Sequence, residues 1–127
     1  MSYTKETISN LCQFFELPLG NKYTQDWVYE LPEEFKTETY LDKYIKSYTN
    51  VAFSDNEKEL LMELILDIAN DLLQDGKSSF STYWGKILLL LNNDKSIHKE
   101  LIDYWALEGE DLDNTFALTP YIRFLDK

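Results

Sequence analysis

The segment between Ser54 and Gly76 constrains the fold more than any other part of the chain. Ser54 followed three residues later by Glu57 has the form of a capping box, in which each side chain satisfies the other residue's backbone N–H at a helix start. Gly76 suits the left-handed position that ends a helix. Between them, Leu61, Ile65, Ile68, Ala69, Leu72 and Leu73 share one side of a wheel turning about 100° per residue. Met62 and Leu66 widen that side. The spacing predicts a long helix to Gln74, apolar enough to be central to a helical core.

The same segment carries five carboxylates four residues apart: Glu59, Glu63, Asp67, Asp71 and Asp75. Like charges at this spacing are neighbours, and each pair costs an isolated helix roughly 0.2–0.5 kcal/mol, so the ladder costs about 1–2 kcal/mol. Only Lys58 and Lys77 stand close by to offset it. Each step rotates about 40°, so the ladder sweeps about 160° and cannot face one ligand. On the wheel, Glu59, Glu63 and Asp67 form a surface patch, while Asp71 and Asp75 lean toward the packing boundary beside Leu60 and Leu64. Such a ladder is either a solvated face or a surface for something positive.

Helical periodicity continues through the rest of the chain. Ile8, Leu11, Cys12 and Phe15 form one face of a helix from Thr4 to about Leu17, closed by Pro18 and Gly20. Tyr23 to Leu31, with Trp27, reads as a single helical turn or irregular structure. Pro32 suits a first helical position, with Glu33 and Glu34 in the favoured first turn, and that helix is expected to reach Tyr48 on Leu41, Tyr44 and Ile45. Tyr40, Tyr44 and Tyr48 then make a packing edge with hydroxyls reaching solvent. Ser79 or Ser81 opens a helix holding Tyr83, Trp84, Ile87, Leu88 and Leu91, broken at Asn92-Asn93-Asp94. Another runs from about Ser96 to Leu107, burying Ile97, Leu101, Ile102 and Trp105. An acidic loop, 108–114, precedes a short helix capped at Thr119-Pro120 and carrying Ile122 and Leu125, with Asn114 to Leu118 alternatively extended. The expectation is one all-α domain over 1–127, a compact bundle of about five amphipathic helices plus a short C-terminal helix.

Charge narrows the function. The chain has 23 acids against 12 bases, net −11, which disfavours nucleic acid and anionic lipid and leaves a basic protein, a cation or plain solubility. One cysteine excludes an internal disulfide and a multi-cysteine zinc site. The start, Met-Ser-Tyr-Thr-Lys-Glu, has no apolar signal region, and the longest apolar run, Ile87 to Leu91, is far below the ~18 residues of a membrane span. A cytoplasmic location is expected.

Catalytic material is sparse. His98, beside Lys99 and Glu100, is expected on a helix surface, and Cys12 on an apolar stripe reads as a buried inert thiol. No glycine-rich phosphate loop exists. Carboxylates one turn apart, Glu59/Glu63 or Asp67/Asp71, can share a hard cation as in helical metal-dependent hydrolases. Yet a second inward pair is missing, the nearest being Glu30/Glu33 and Glu34/Glu38 at a helix start. No cofactor or metal is expected.

Between Glu100 and Asp113 stand six acids and no base: Glu100, Asp103, Glu108, Glu110, Asp111 and Asp113. Trp105 falls on the apolar stripe with Leu101 and Ile102, whereas Tyr104 falls off it. An aromatic in a field of carboxylates fits a contact surface for a basic partner, with acids steering and the ring making the desolvated contact. The candidate partner-binding residues are therefore Glu59, Glu63, Asp67, Asp103, Tyr104, Glu108, Glu110, Asp111 and Asp113.

Three C-terminal stretches also form a pattern: Trp84-Gly-Lys-Ile-Leu, then Leu101-Ile-Asp-Tyr-Trp105, then Phe116-Ala-Leu-Thr-Pro-Tyr-Ile-Arg123 after an acidic spacer. This pattern resembles small acidic immunity proteins of bacterial polymorphic toxin systems. The resemblance implies a cytoplasmic protein that blocks one cognate toxin domain, often a nuclease, by covering its cleft. It carries no contact residues onto this chain, because such proteins bind through family-specific surfaces. Thr119 is read as a cap there, and Arg123 as pairing with a nearby acid. The other readings are a metal-dependent helical hydrolase and a structural or regulatory helical module with incidental acidity.

Overall fold

A computed structural model describes residues 3–18 and 27–125. Among these the chain is all-α, with no strand: α1 Lys5–Phe15, α2 Trp27–Glu30, a 3-10 turn Glu33–Phe35, α3 Glu38–Ser47, α4 Asp55–Gln74, α5 Phe80–Asn93, α6 Lys99–Ala106, a 3-10 turn Leu112–Asn114 and α7 Thr119–Leu125. Gly20 and the start of the stretch read from Tyr23 fall outside the described residues. Packing groups the chain into two units, Met1–Ile65 and Leu66–Lys127, dividing inside α4.

In the first unit, the Thr4 hydroxyl caps α1 by accepting from the Thr7 N–H at 3.1 Å. Ile8, Leu11, Cys12 and Phe15 are buried on the expected stripe. The helix ends at Glu16 in a left-handed conformation, φ 58°, and the next N–H, of Leu17, donates to the Cys12 carbonyl at 2.8 Å. Phe15 meets Tyr44 edge-on at 5.0 Å between ring centroids.

The helix expected from Pro32 to Tyr48 is two pieces. Thr37 is extended (φ −82°, ψ 168°), and its hydroxyl accepts from the Tyr40 N–H at 3.3 Å, so α3 starts afresh there. The Tyr44 hydroxyl donates to the Phe35 carbonyl at 2.8 Å, satisfying an acceptor that the broken helix left open. Tyr44 and Tyr48 are consequently buried, and the tyrosine edge does not send those hydroxyls to solvent.

The capping box at α4 has both of its bonds. The Ser54 hydroxyl accepts from the Glu57 N–H at 3.2 Å, and Glu57 Oε1 accepts from the Ser54 N–H at 3.1 Å. The other Glu57 oxygen accepts from Asn10 Nδ2 at 3.2 Å, tying α4 to α1. Burial along α4 then departs from the wheel. Leu60, Leu61, Met62, Leu64, Ile65, Leu66, Ile68 and Ala69 are all essentially inaccessible, although they cover most of the circumference. Beyond Asn70 the helix emerges, and Leu72 and Leu73 are only half-buried.

In the second unit α6 packs on α7. Leu101, Ile102, Trp105 and Ala106 of α6, Ile122 and Leu125 of α7, and Ile87 and Leu91 of α5 are buried. Asn70 is buried, and its side-chain oxygen accepts from the Leu118 N–H at 3.0 Å, anchoring the entry to α7. Residues 94–98 are turn, so α6 begins later than Ser96. His98 is therefore not on a helix surface; it sits in that turn, fully buried, with its N–H donated to the Asp94 carbonyl at 3.2 Å. Thr119 also departs from its expected role. It lies within the first turn of α7, accepting from the Phe116 N–H at 3.1 Å and donating to the Trp105 carbonyl at 2.8 Å.

Candidate functional site

The carboxylates of α4 do not form the solvent patch that the wheel suggests. Glu59, Glu63 and Asp67 are half-buried, while Asp71 and Asp75, expected at the packing boundary, are exposed. The wheel assumed one buried side along the whole helix, whereas α4 is covered nearly all round in its middle turns and open only at its end. Glu59, Glu63, Asp67 and Asp71 each have an interaction partner. Among the described residues no group of three or more His, Cys, Asp and Glu side chains is arranged to hold a metal ion. Cys12 is buried, and burial pushes its thiol up to about 11, far from a thiolate nucleophile.

The acids that follow α6 are placed differently. Glu108, Glu110, Asp111 and Asp113 are exposed and, among the described residues, make no ion pair. Asp103 is exposed too and lines a shallow recess with Lys95 and Lys99. Tyr104 is 41% exposed, with its ring 5.7 Å from that of Phe116, and Trp105 is core, as its spacing indicated. The loop acids and Tyr104 all lie in the second unit, where Asp103 shares its recess with lysines.

What holds this loop is Arg123, and among the described residues it does so without a carboxylate. Nε donates to the Ala106 carbonyl at 2.7 Å, and one terminal nitrogen donates to the Leu107 carbonyl at 2.6 Å and the Glu110 carbonyl at 2.9 Å. The first two acceptors are the carbonyls that a helix C-terminus leaves open, where a cation is also favoured by the helix dipole. Among the described residues, the expected pairing of Arg123 with an acid gives way to this bonding of backbone oxygens. Leu107 occupies the left-handed region at φ 44°, a conformation that an L side chain adopts only when its surroundings impose it. Gly109, at φ 91°, completes the reversal. Further along, the Asn114 N–H donates to the Asp111 carbonyl at 2.9 Å and the Thr115 hydroxyl to the Leu112 carbonyl at 2.8 Å. The loop is therefore fixed through its backbone carbonyls, by Arg123 and by turns within the loop, with its carboxylates exposed.

Two apolar residues missed by periodicity lie beside this loop. Leu112 is 56% exposed between Asp111 and Asp113, and Phe124 is 77% exposed on α7. Both line one recess with Pro120 and Arg123. The available signal was a leucine inside an acidic run, and a phenylalanine off the Leu118, Ile122 and Leu125 stripe. Among the described residues no helix is long and apolar enough to cross a membrane. No family model, curated protein or solved structure matches the chain.

Proposed function

We propose that the chain is a non-enzymatic binding protein that neutralises a basic protein partner, in the manner of an immunity protein covering the cleft of a cognate toxin domain in the cytoplasm. One observation carries this reading: Glu108, Glu110, Asp111 and Asp113 are exposed and make no ion pair among the described residues, on a loop whose backbone is already fixed. Desolvating a carboxylate is unfavourable unless a cation replaces the water, so a surface of this kind selects basic partners and speeds their approach. Fixing the backbone beforehand lowers the ordering cost at the moment of binding. The net charge of −11 works in the same direction over longer range. A nuclease domain, with a positive cleft for phosphate, is a partner of the required chemistry.

The test is coexpression with the product of the neighbouring reading frame. The expected result is a stable complex and suppression of that product's toxicity by the parent chain, both lost with Glu110→Lys/Asp111→Lys. A harmless neighbour that does not bind, or full protection by the double variant, would overturn the reading.

A further inference from the structure

We propose that a groove in the first unit, between α1 and the start of α4, receives an arginine side chain from a partner protein. Asn10, Gln13 and Phe14 of α1 line it together with Phe53 and Glu57, around an open volume of about 410 Å³. Phe14 is 42% exposed, and its ring is held edge-on by Phe15 and by Phe53, each at 4.8 Å between centroids. The groove therefore has an ordered aromatic wall with open surface. The acidic loop belongs to the second unit, so this contact goes beyond it and neither stands or falls with the other.

Charge identifies the occupant. Glu57 is only 8% exposed, and among the described residues no cation lines the groove or pairs with this carboxylate. Glutamates are rarely buried this far without a partner of opposite charge. The next residue, Lys58, instead sits 5.7 Å from the centre of the Tyr48 ring. The donors to Glu57, the Ser54 N–H and the Asn10 amide, are neutral, so they stabilise its charge without cancelling it. The start of α4 supplies only about half a positive charge. Because Asn10 donates through its nitrogen, its side-chain oxygen is left as an acceptor beside the carboxylate. Amide oxygens, a carboxylate and an open aromatic ring together match a guanidinium, which offers a planar fork of donors, stacks on rings and is more weakly hydrated than an ammonium. The chain's single arginine, Arg123, is engaged on three backbone carbonyls, so a second copy is the poorer source.

The experiment titrates the isotope-labelled full chain with acetyl-Gly-Arg-Gly-amide and with its lysine and citrulline counterparts, following amide resonances. Salt is held at about 0.15 M, where attraction to the overall charge is screened. The expected result is saturable shifts at Asn10, Phe14 and Glu57 with the arginine peptide. The lysine peptide should bind more weakly by about fivefold or more, and the neutral citrulline peptide should give no saturable shift. Glu57→Gln keeps the capping box, which glutamine also completes, and should weaken the arginine peptide about tenfold. Phe14→Leu keeps an apolar contact without the ring and should weaken it about threefold. Absence of saturable shifts with the arginine peptide, equal binding of the citrulline peptide, or unchanged binding in either variant would overturn the proposal. Equal binding of the lysine and arginine peptides would overturn the choice of arginine. Shifts confined to residues 108–113 would overturn the groove and leave the loop reading standing.

Discussion

Replacing Arg123 with alanine isolates the device that shapes the candidate surface. The substitution removes three hydrogen bonds of 2.6–2.9 Å from a cationic donor. Bonds to charged groups contribute about 1.5–3 kcal/mol each, but these three share one side chain and one of their acceptors is open to water, so the values do not add. The left-handed Leu107 also loses the contacts that hold it there, at about 1–2 kcal/mol of intrinsic strain. A net loss of about 2–3 kcal/mol follows, or about 6–12 °C in Tm for a chain of this size. Denaturant unfolding gives the free energy, and amide exchange locates it. The N–H groups of Glu110 and Asn114 should exchange faster in the variant, while those of α1 and α3 keep their protection. Arg123→Lys should recover less than half the loss, because an ammonium retains the charge without the planar fork. A loss below about 0.5 kcal/mol would refute the reasoning. So would full rescue by lysine, or a loss that leaves loop exchange unchanged.

Other substitutions test single contacts. Ser54→Ala removes one half of the capping box and should cost about 1 kcal/mol in denaturant unfolding, whereas a neutral result would mean that Glu57 alone sustains the helix start. Asn70→Ala leaves the Leu118 N–H buried without its acceptor, and should cost about 1–3 kcal/mol with faster exchange at the entry to α7. Cys12 gives a pH signature. Its folded thiol is raised from the ordinary 9.0 to about 11, so the stability it contributes is present below pH 9.0 and lost as pH rises through about 11. The denaturation midpoint of the parent should fall across that window more steeply than that of Cys12→Ala, and parallel curves would contradict the assignment.

Local rules made much of the fold legible from sequence. The α4 capping box formed as its two residues specify, and the α1 stripe is buried as spaced. Where the reading failed, tertiary context had overridden a local pattern. The helix start was read from Pro32, Glu33 and Glu34 and its stripe from Leu41, Tyr44 and Ile45, and neither carries information about the break that Thr37 and the Phe35–Tyr44 bond introduce. A wheel gives angle and not depth, so it reversed the exposure of the two ends of the carboxylate ladder. His98 lies in a turn, where helical phase does not apply. For the candidate surface, composition located the acidic loop and the spacing of Tyr104. It did not reveal that Arg123 bonds carbonyls, since a charge beside acids suggests a salt bridge. Nor did it bring Leu112 and Phe124 together, because that depends on how the loop folds back on α7.

The central claim is that the exposed carboxylates on this loop engage a basic protein. It is tested most directly by the association rate constant of that partner, measured by stopped flow across a range of ionic strength for the parent and for Glu110→Lys/Asp111→Lys. The account predicts a parent rate that falls steeply with salt and a double variant slower by about tenfold or more at low salt. It also predicts parent-like thermal stability for the variant, because these side chains project into solvent. Equal association rates for the two chains, or a parent rate indifferent to salt, would contradict it.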